Sequence, residues 1–545
     1  MSRSLKWAAA LAGVTLANTA VAVPSAQAQG PRFEITFPRT AHPEPVTGRV
    51  FVIISRTANT EPRFQVRNTG VPFFGRDVER LGPGEVAVID DADLGYPVAT
   101  LSEIPPGSYF VQAVVNVYTE FKRADGRVLW MHEDQWEGQN WRRSPGNLYS
   151  VPREVRLDSS EGYTIRLTAD QVMPPIQVPA DTEWVQRFRF QSPTLSQFWG
   201  RPVYLGATVL MPRDYATSTL SYPVLYNQGH FSLGNPLGFE VGAELYQDWV
   251  KDDFPRMMVV TFQHPNPYYD DSYAVNSENV GPYGDAIMQE LIPEIERRYR
   301  IIREPWARLL DGGSTGGWES LALQLFNPDF FGGTWSYCPD PVTFSEYEQI
   351  NLYEDQNAFY KQHEWRREPT PQQRETDGKI RLTWEQRARY ERVAATHGRS
   401  GEQNDIWSAV FGPVGEDGYF KPVLDNLTGV IDRDVVEYWK RYDLLHYLRE
   451  NWTVLGPKVE GKLHIYTGDM DTYALNNAVV LLEQWMKTTS NPHYEGFFMY
   501  GDRQPHCWRG PGTYGDRLKE MAQFMLRHKP EGTTTPWWRY SASRP

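Results

Sequence analysis

Ser314 stands among glycines, in Gly312-Gly313-Ser314-Thr315-Gly316-Gly317. A serine hydroxyl attacks a carbonyl only when a base takes its proton, and that base needs an acid to orient it. Candidates for both lie downstream. Asp469 and Asp471 occur in Tyr466-Thr467-Gly468-Asp469-Met470-Asp471, and His506 in Gln504-Pro505-His506-Cys507-Trp508. The order serine, acid, histidine is one of those used for acyl transfer through a covalent intermediate. In that chemistry His506 takes the Ser314 proton, one aspartate fixes the imidazole tautomer, and backbone N–H groups hold the oxyanion. The N–H of Thr315 is one such donor. The N–H of His230 or Phe231, in Gly229-His230-Phe231, is the other. The His230 side chain reads as a pocket-lining group rather than a second base. His528 ends a basic helix and His493 precedes the last strand, so neither suits the base.

Gly-x-Ser-x-Gly arises by chance about 0.2 times in a chain of this length, so its setting must carry the argument. Apolar Leu309-Leu310 leads into the motif and a helix-compatible run, Ser320 to Leu325, leaves it. A strand, a tight turn and a helix are the elements that expose a nucleophile at a sheet edge. Strands read at Pro223 to Gln228, Arg256 to Phe262, Gly333 to Tyr337, Lys462 to Tyr466 and Gly496 to Tyr500. Arg187 to Phe190 and Val203 to Leu210 read as an opening antiparallel pair. Helices read at Gly284 to Tyr299 and Asp516 to His528. Apolar strands alternating with helices predict an α/β fold with a mostly parallel sheet covered on both faces. Asp469 and Asp471 both follow a strand end and either could instead cap the next helix. His506 falls in the loop after the last strand.

The alternation stops between Cys338 and Gly461. This charged, Trp-rich stretch predicts a helical lid inserted over residues 339–460, within a catalytic domain of residues 180–530. Upstream, β-branched and aromatic runs such as Val50 to Ile54, Glu85 to Ile89, Ser108 to Val115 and Tyr163 to Leu167 are separated by Pro/Gly/Asp turns. They predict a β-sandwich over residues 29–175, ending in a Pro-punctuated linker near 173–179. Trp130, Trp136 and Trp141 there read as packing residues, with sugar stacking as the alternative. Arg3, Lys6, the apolar run to Val23 and Ala26-Gln27-Ala28 predict an export signal over residues 1–28, hence a periplasmic or extracellular protein. No Arg-Arg pair appears there, which points to the general export route.

The 545 residues carry a formal charge of −13 without a basic cluster. That disfavours nucleic acid and anionic membrane as partners. Beyond the signal no apolar stretch is long enough to span a bilayer. His363-Glu364 lacks the second His of a zinc-protease helix, and no other ligand-spaced His/Asp cluster is seen, so no metal or cofactor is expected. Cys338 and Cys507 both fall at strand ends beside the site. A bridge between them would steady the histidine loop, and two inert thiols are the alternative.

Together these segments resemble the putative-esterase family of α/β-hydrolases, which includes esterase D, feruloyl and acetylxylan esterases and enterochelin esterases. The resemblance covers about residues 222–526. It rests on Tyr222 to Tyr226, Gly281 to Ile287, Glu290 to Glu296, Gly312 to Gly317, Gly468 to Asp471 and His506 to Trp508. It implies a serine carboxylesterase with a Ser314–His506–Asp471 triad, since the family acid follows a Gly-x-x-Asp pattern. It implies a small-molecule or polysaccharide-linked ester as substrate, feruloyl or acetyl esters among them. Two departures stand out: the family's His-Gly at the oxyanion loop is here Gly229-His230, and the insertion is far longer. An acyltransferase or peptidase with the same triad, and a non-catalytic binding protein on the same fold, are the competing expectations. The oligomeric state is not legible in the sequence.

Overall fold

Eight strands of residues 185–501 form one sheet in the computed structural model, which describes residues 30–538. The expected export signal lies outside the described residues. The strands are β1 (Val185–Gln191), β2 (Tyr204–Leu210), β3 (Val224–Gln228), β4 (Met258–Gln263), β5 (Arg308–Gly313), β6 (Gly333–Tyr337), β7 (Leu463–Gly468) and β8 (Phe497–Gly501). Their order across the sheet is β1-β2-β4-β3-β5-β6-β7-β8. The first two pairings, β1 with β2 and β2 with β4, are antiparallel and all others are parallel. The C-terminal ends of β3, β5, β6, β7 and β8 therefore point to the same edge.

Val224, Leu225, Val259, Val260, Leu309, Leu310 and Ile465 are wholly buried. Their continuous apolarity follows from cover on both faces. Part of that cover is α1 (Thr315–Phe326), buried along almost its whole length. The stretch read as one helix, Gly284 to Tyr299, is helical over residues 283–298 with a π-turn at Ile287–Leu291. Pro293 lies just past that turn, where its ring and missing N–H disturb regular α pairing.

The insertion is mixed, not the helical segment expected. Two hairpins come first, Tyr360–Gln362 with Arg367–Pro369, and Pro371–Arg374 with Ile380–Thr383. Pro369 and Pro371 remove two helix donors within three residues, which explains the extended chain there. Helices then follow: α2 (Trp384–Ala394), opened by a Thr383/Gln386 capping box, α3 (Gln403–Phe411), α4 (Arg433–Trp439) and α5 (Leu444–Val459). Its tryptophans mostly pack: Trp384 and Trp439 are fully buried, whereas Trp365 is 88% exposed.

The N-terminal region is β-rich. A three-stranded sheet (Arg32–Thr36, Ala87–Asp90, Thr164–Thr168) and a larger one centred on Val46–Ser55 and Gly107–Val117 contribute to one apolar core. Along Val46–Ser55 the side chains alternate. Val50, Val52 and Ile54 enter that core, while Phe51 and Ile53 join Phe73, Trp141, Tyr390 and Val393 on the other face. Tyr390 and Val393 belong to α2, so this region braces the insertion. The Arg49 guanidinium adds hydrogen bonds to the Val393 carbonyl, the Nε bond being 3.0 Å. Trp141 stacks on Phe51 with ring centroids 4.2 Å apart, in keeping with the packing reading.

Candidate active site

Strand β5 ends at Gly313, and Ser314 turns the chain with φ 59° and ψ −122° before α1 begins. This is a left-handed, strained backbone for a residue with a side chain. Two glycines allow the turn. A Cβ on Gly312 would lie 2.2 Å from the Gly316 carbonyl oxygen, and one on Gly316 would lie 2.2 Å from that of Gln228. The second contact presses the start of α1 against the end of β3, where the 229–231 loop begins. The Ser314 N–H is tied to the Tyr337 carbonyl at 3.0 Å.

His506 reaches this serine from the loop after β8. Its Nε2 is 2.9 Å from Ser314 Oγ and its Nδ1 is 2.7 Å from Asp471 Oδ2. An aspartate at Nδ1 calls for the Nδ1–H tautomer, which leaves Nε2 to accept the serine proton. Asp471 is fully buried after β7, and its Oδ1 accepts the N–H groups of Tyr473 (2.9 Å) and Leu475 (3.3 Å). Asp469 is exposed, and its N–H binds the Gly501 carbonyl. Of the two aspartates, Asp471 is the one placed against His506. The Tyr473 ring packs edge-on to His506 at 4.8 Å.

Cys338, just past β6, and Cys507 form a disulfide with Cα atoms 5.0 Å apart. It joins the histidine loop to the strand beside the nucleophile.

Of the residues expected at the oxyanion site, Thr315 opens α1 directly after Ser314 and His230 lines the cavity, while the Phe231 side chain packs against Trp136 with ring centroids 5.2 Å apart. The His230 Nδ1 faces two carboxylates, Asp270 at 3.1 Å and Asp271 at 3.0 Å. Sequence spacing showed no such cluster. Its three ligand-type atoms lie within 4.8 Å of one another, yet the imidazole already binds both acids as a closed ion pair. The other three-residue group, Cys338, His506 and Cys507, is committed to the disulfide and to Ser314.

One residue at the nucleophile was not foreseen. Asp340 Oδ1 lies 3.2 Å from Ser314 Oγ, a second acceptor for the one hydroxyl proton that His506 Nε2 also faces, while Oδ2 accepts from Tyr273 (2.6 Å), Thr315 Oγ1 (3.1 Å) and Gln403 (3.2 Å). Burial pushes its carboxyl above the ordinary value against the pull of the Tyr273 bond. The available signal was an acid two residues after Cys338, at a strand end on the functional edge. Beneath the turn, burial raises Asp311 to about 6, although Asn227 donates to it at 2.8 Å.

The cavity has a volume of about 870 Å³. Asn227, Thr261, Gly313, Ser314, His506 and Arg509 come from the sheet edge, and Glu348, Gln372, Gln373, Arg387, Glu402, Gln403 and Trp407 from the insertion.

Residues 204–407 match the family model described as Putative esterase. Among curated proteins none matches the chain. Among solved structures it is similar to a ferulic acid esterase, at 17% identity and a TM-score of 0.38, over 63% of this chain and 97% of the other. It is also similar to an S-formylglutathione hydrolase from Agrobacterium tumefaciens (13%, TM-score 0.32, over 64% and 95%). A third is a ferulic acid esterase from Anaeromyces mucronatus (12%, TM-score 0.29, over 64% and 92%).

Proposed function

We propose that this carboxylic ester hydrolase, whose residues 204–407 match the putative-esterase family, acts through Ser314, His506 and Asp471 as an exported serine esterase. The observation that carries the reading is the unbroken relay from Asp471 Oδ2 to His506 Nδ1 at 2.7 Å and from His506 Nε2 to Ser314 Oγ at 2.9 Å. Ser314 attacks the ester carbonyl as His506 takes its proton. Thr315 and the 229–231 loop supply N–H groups to the oxyanion. The proton then passes from Nε2 to the leaving alcohol oxygen. Water, deprotonated by His506, attacks the acyl-enzyme and releases the acid. Asp471 steadies the imidazolium at both stages.

The insertion is read as a lid, because it supplies one wall of the cavity and because Arg374 binds the Asp471 carbonyl at 2.9 Å. The two-sheet N-terminal region is read as a sandwich that holds the lid in place. Feruloyl and acetyl esters carried by polysaccharide are the substrates we would try first. A panel of p-nitrophenyl acetate, feruloyl esters and peptides tests the reading. Ester turnover lost in Ser314→Ala supports it, and equal turnover in that variant removes it.

A further inference from the structure

The cavity wall next to Ser314 carries carboxyl oxygens in excess of the donors that meet them. Asp340 is 3% exposed, and the three side chains that bind Oδ2 leave Oδ1 facing, among the described residues, only Ser314 Oγ. Glu348 is 2% exposed. Gln372 donates to its Oε1 at 3.0 Å, while Oε2 has no hydrogen-bond partner among the described residues. Both residues line the same cavity. Two guanidiniums line the cavity and both have partners: Arg387 is engaged by Glu391 at 2.7 Å and by Glu402 at 3.0 Å, and Arg509 donates to the Tyr514 hydroxyl. A buried acceptor without a donor is costly. A carboxylate 3.2 Å from Ser314 Oγ also opposes the negative charge that builds on the neighbouring oxyanion. A substrate that brings its own donors relieves both penalties, and relieves the second most in the transition state.

Which part of the ester meets these oxygens follows from the tetrahedral carbon. Its four groups are Ser314 Oγ, the oxyanion, the leaving oxygen and the acyl chain. His506 Nε2 must reach the leaving oxygen, and the Thr315 and loop N–H groups take the oxyanion. Asp340, which touches Ser314 Oγ apart from His506, is left with the first atoms of the acyl chain. We propose that Asp340 and Glu348 form an acyl subsite selective for acids that carry a hydrogen-bond donor, a hydroxyl or an ammonium, on the carbon next to the carbonyl. This rests on Ser314 being the nucleophile, as argued above. Asp340 accepts the donor on that carbon, and Glu348 Oε2 meets a polar group further along the chain.

The test uses p-nitrophenyl esters of three acids of equal size, 2-methylpropanoate, lactate and alaninate, with kcat/KM divided by each ester's rate with hydroxide. The full-length protein should favour lactate or alaninate over 2-methylpropanoate by at least about tenfold, since sites built for a donor reject its isostere. The two favoured arms separate a hydroxyl from an ammonium ligand. In Asp340→Leu that ratio should fall towards one. Because the ratio is taken within each protein, a loss common to all three esters cancels. A ratio near one in the parent, or one unchanged in Asp340→Leu, overturns the subsite. If the parent hydrolyses 2-methylpropanoate at least as well, and Ser314→Ala hydrolyses nothing, the subsite falls and the serine esterase stands. If Ser314→Ala is as active as the parent, both fall.

Discussion

The two walls of the cavity are built in different ways. On the sheet side each candidate group sits one or a few residues past a strand end, and backbone holds two of them. The Tyr337 carbonyl fixes Ser314, and the N–H groups of Tyr473 and Leu475 fix Asp471. On the inserted side the polar groups hold one another, as Arg387 holds Glu391 and Glu402 and Gln372 holds Glu348. That wall is braced from outside, by Asn68 on Arg387 at 2.9 Å and by Phe73 against Tyr390 at 5.5 Å. Strand ends bring polar groups together with few residues, whereas the inserted wall depends on contacts spread over more than 300 positions of chain.

If the sheet wall carries the reaction, the largest loss belongs to it. Ser314→Ala should lower kcat by about 10⁶-fold, with unchanged near-ultraviolet circular dichroism. Asp471→Asn should lower kcat by about 10⁴-fold, because the tautomer of His506 is no longer fixed. Loss in KM alone would move Asp471 out of the relay.

The inserted wall should fail by stability first. Arg387→Met leaves Glu391 and Glu402 without their buried cation, and should cost about 3–5 kcal/mol in denaturant unfolding. A loss below about 1 kcal/mol would mean that this wall is not held as described.

The smallest effect lies under the nucleophile turn. Burial lifts Asp311 to about 6 in the folded chain, from an ordinary 3.8. The folded state then binds more protons than the unfolded one between those values, so stability falls as pH rises through that window. Asp311→Asn removes this fall. It should be more stable than the parent by roughly 1–3 kcal/mol above pH about 6, with the gain gone below pH about 4. Equal pH profiles would show that Asp311 is not perturbed by its burial.

The same contrast governs what the sequence made legible. Ser314, His506 and the strands around them follow from local signals: glycines that a left-handed turn requires, apolar runs covered on both faces, and a loop histidine after the last strand. Asp471 needed more, because two acids two residues apart in one loop are told apart only by the Gly-x-x-Asp resemblance until burial separates them. Asp340 escaped because its neighbours in space, Tyr273, Thr315 and Gln403, are scattered through the chain. The insertion was misjudged for a related reason. Its charge and tryptophan content suit helices, and the proline pair near Thr370 that favours hairpins is a weaker, local cue. The His230–Asp270–Asp271 cluster joins two loops, after β3 and β4, that only the sheet order brings together.

Labelling with a fluorophosphonate, read by intact mass and then by peptide mapping, tests the central claim most directly. The account predicts one adduct per chain, on Ser314, formed slowly or not at all in Asp471→Asn. An adduct on another residue, or none on a protein that still cleaves esters, would contradict it.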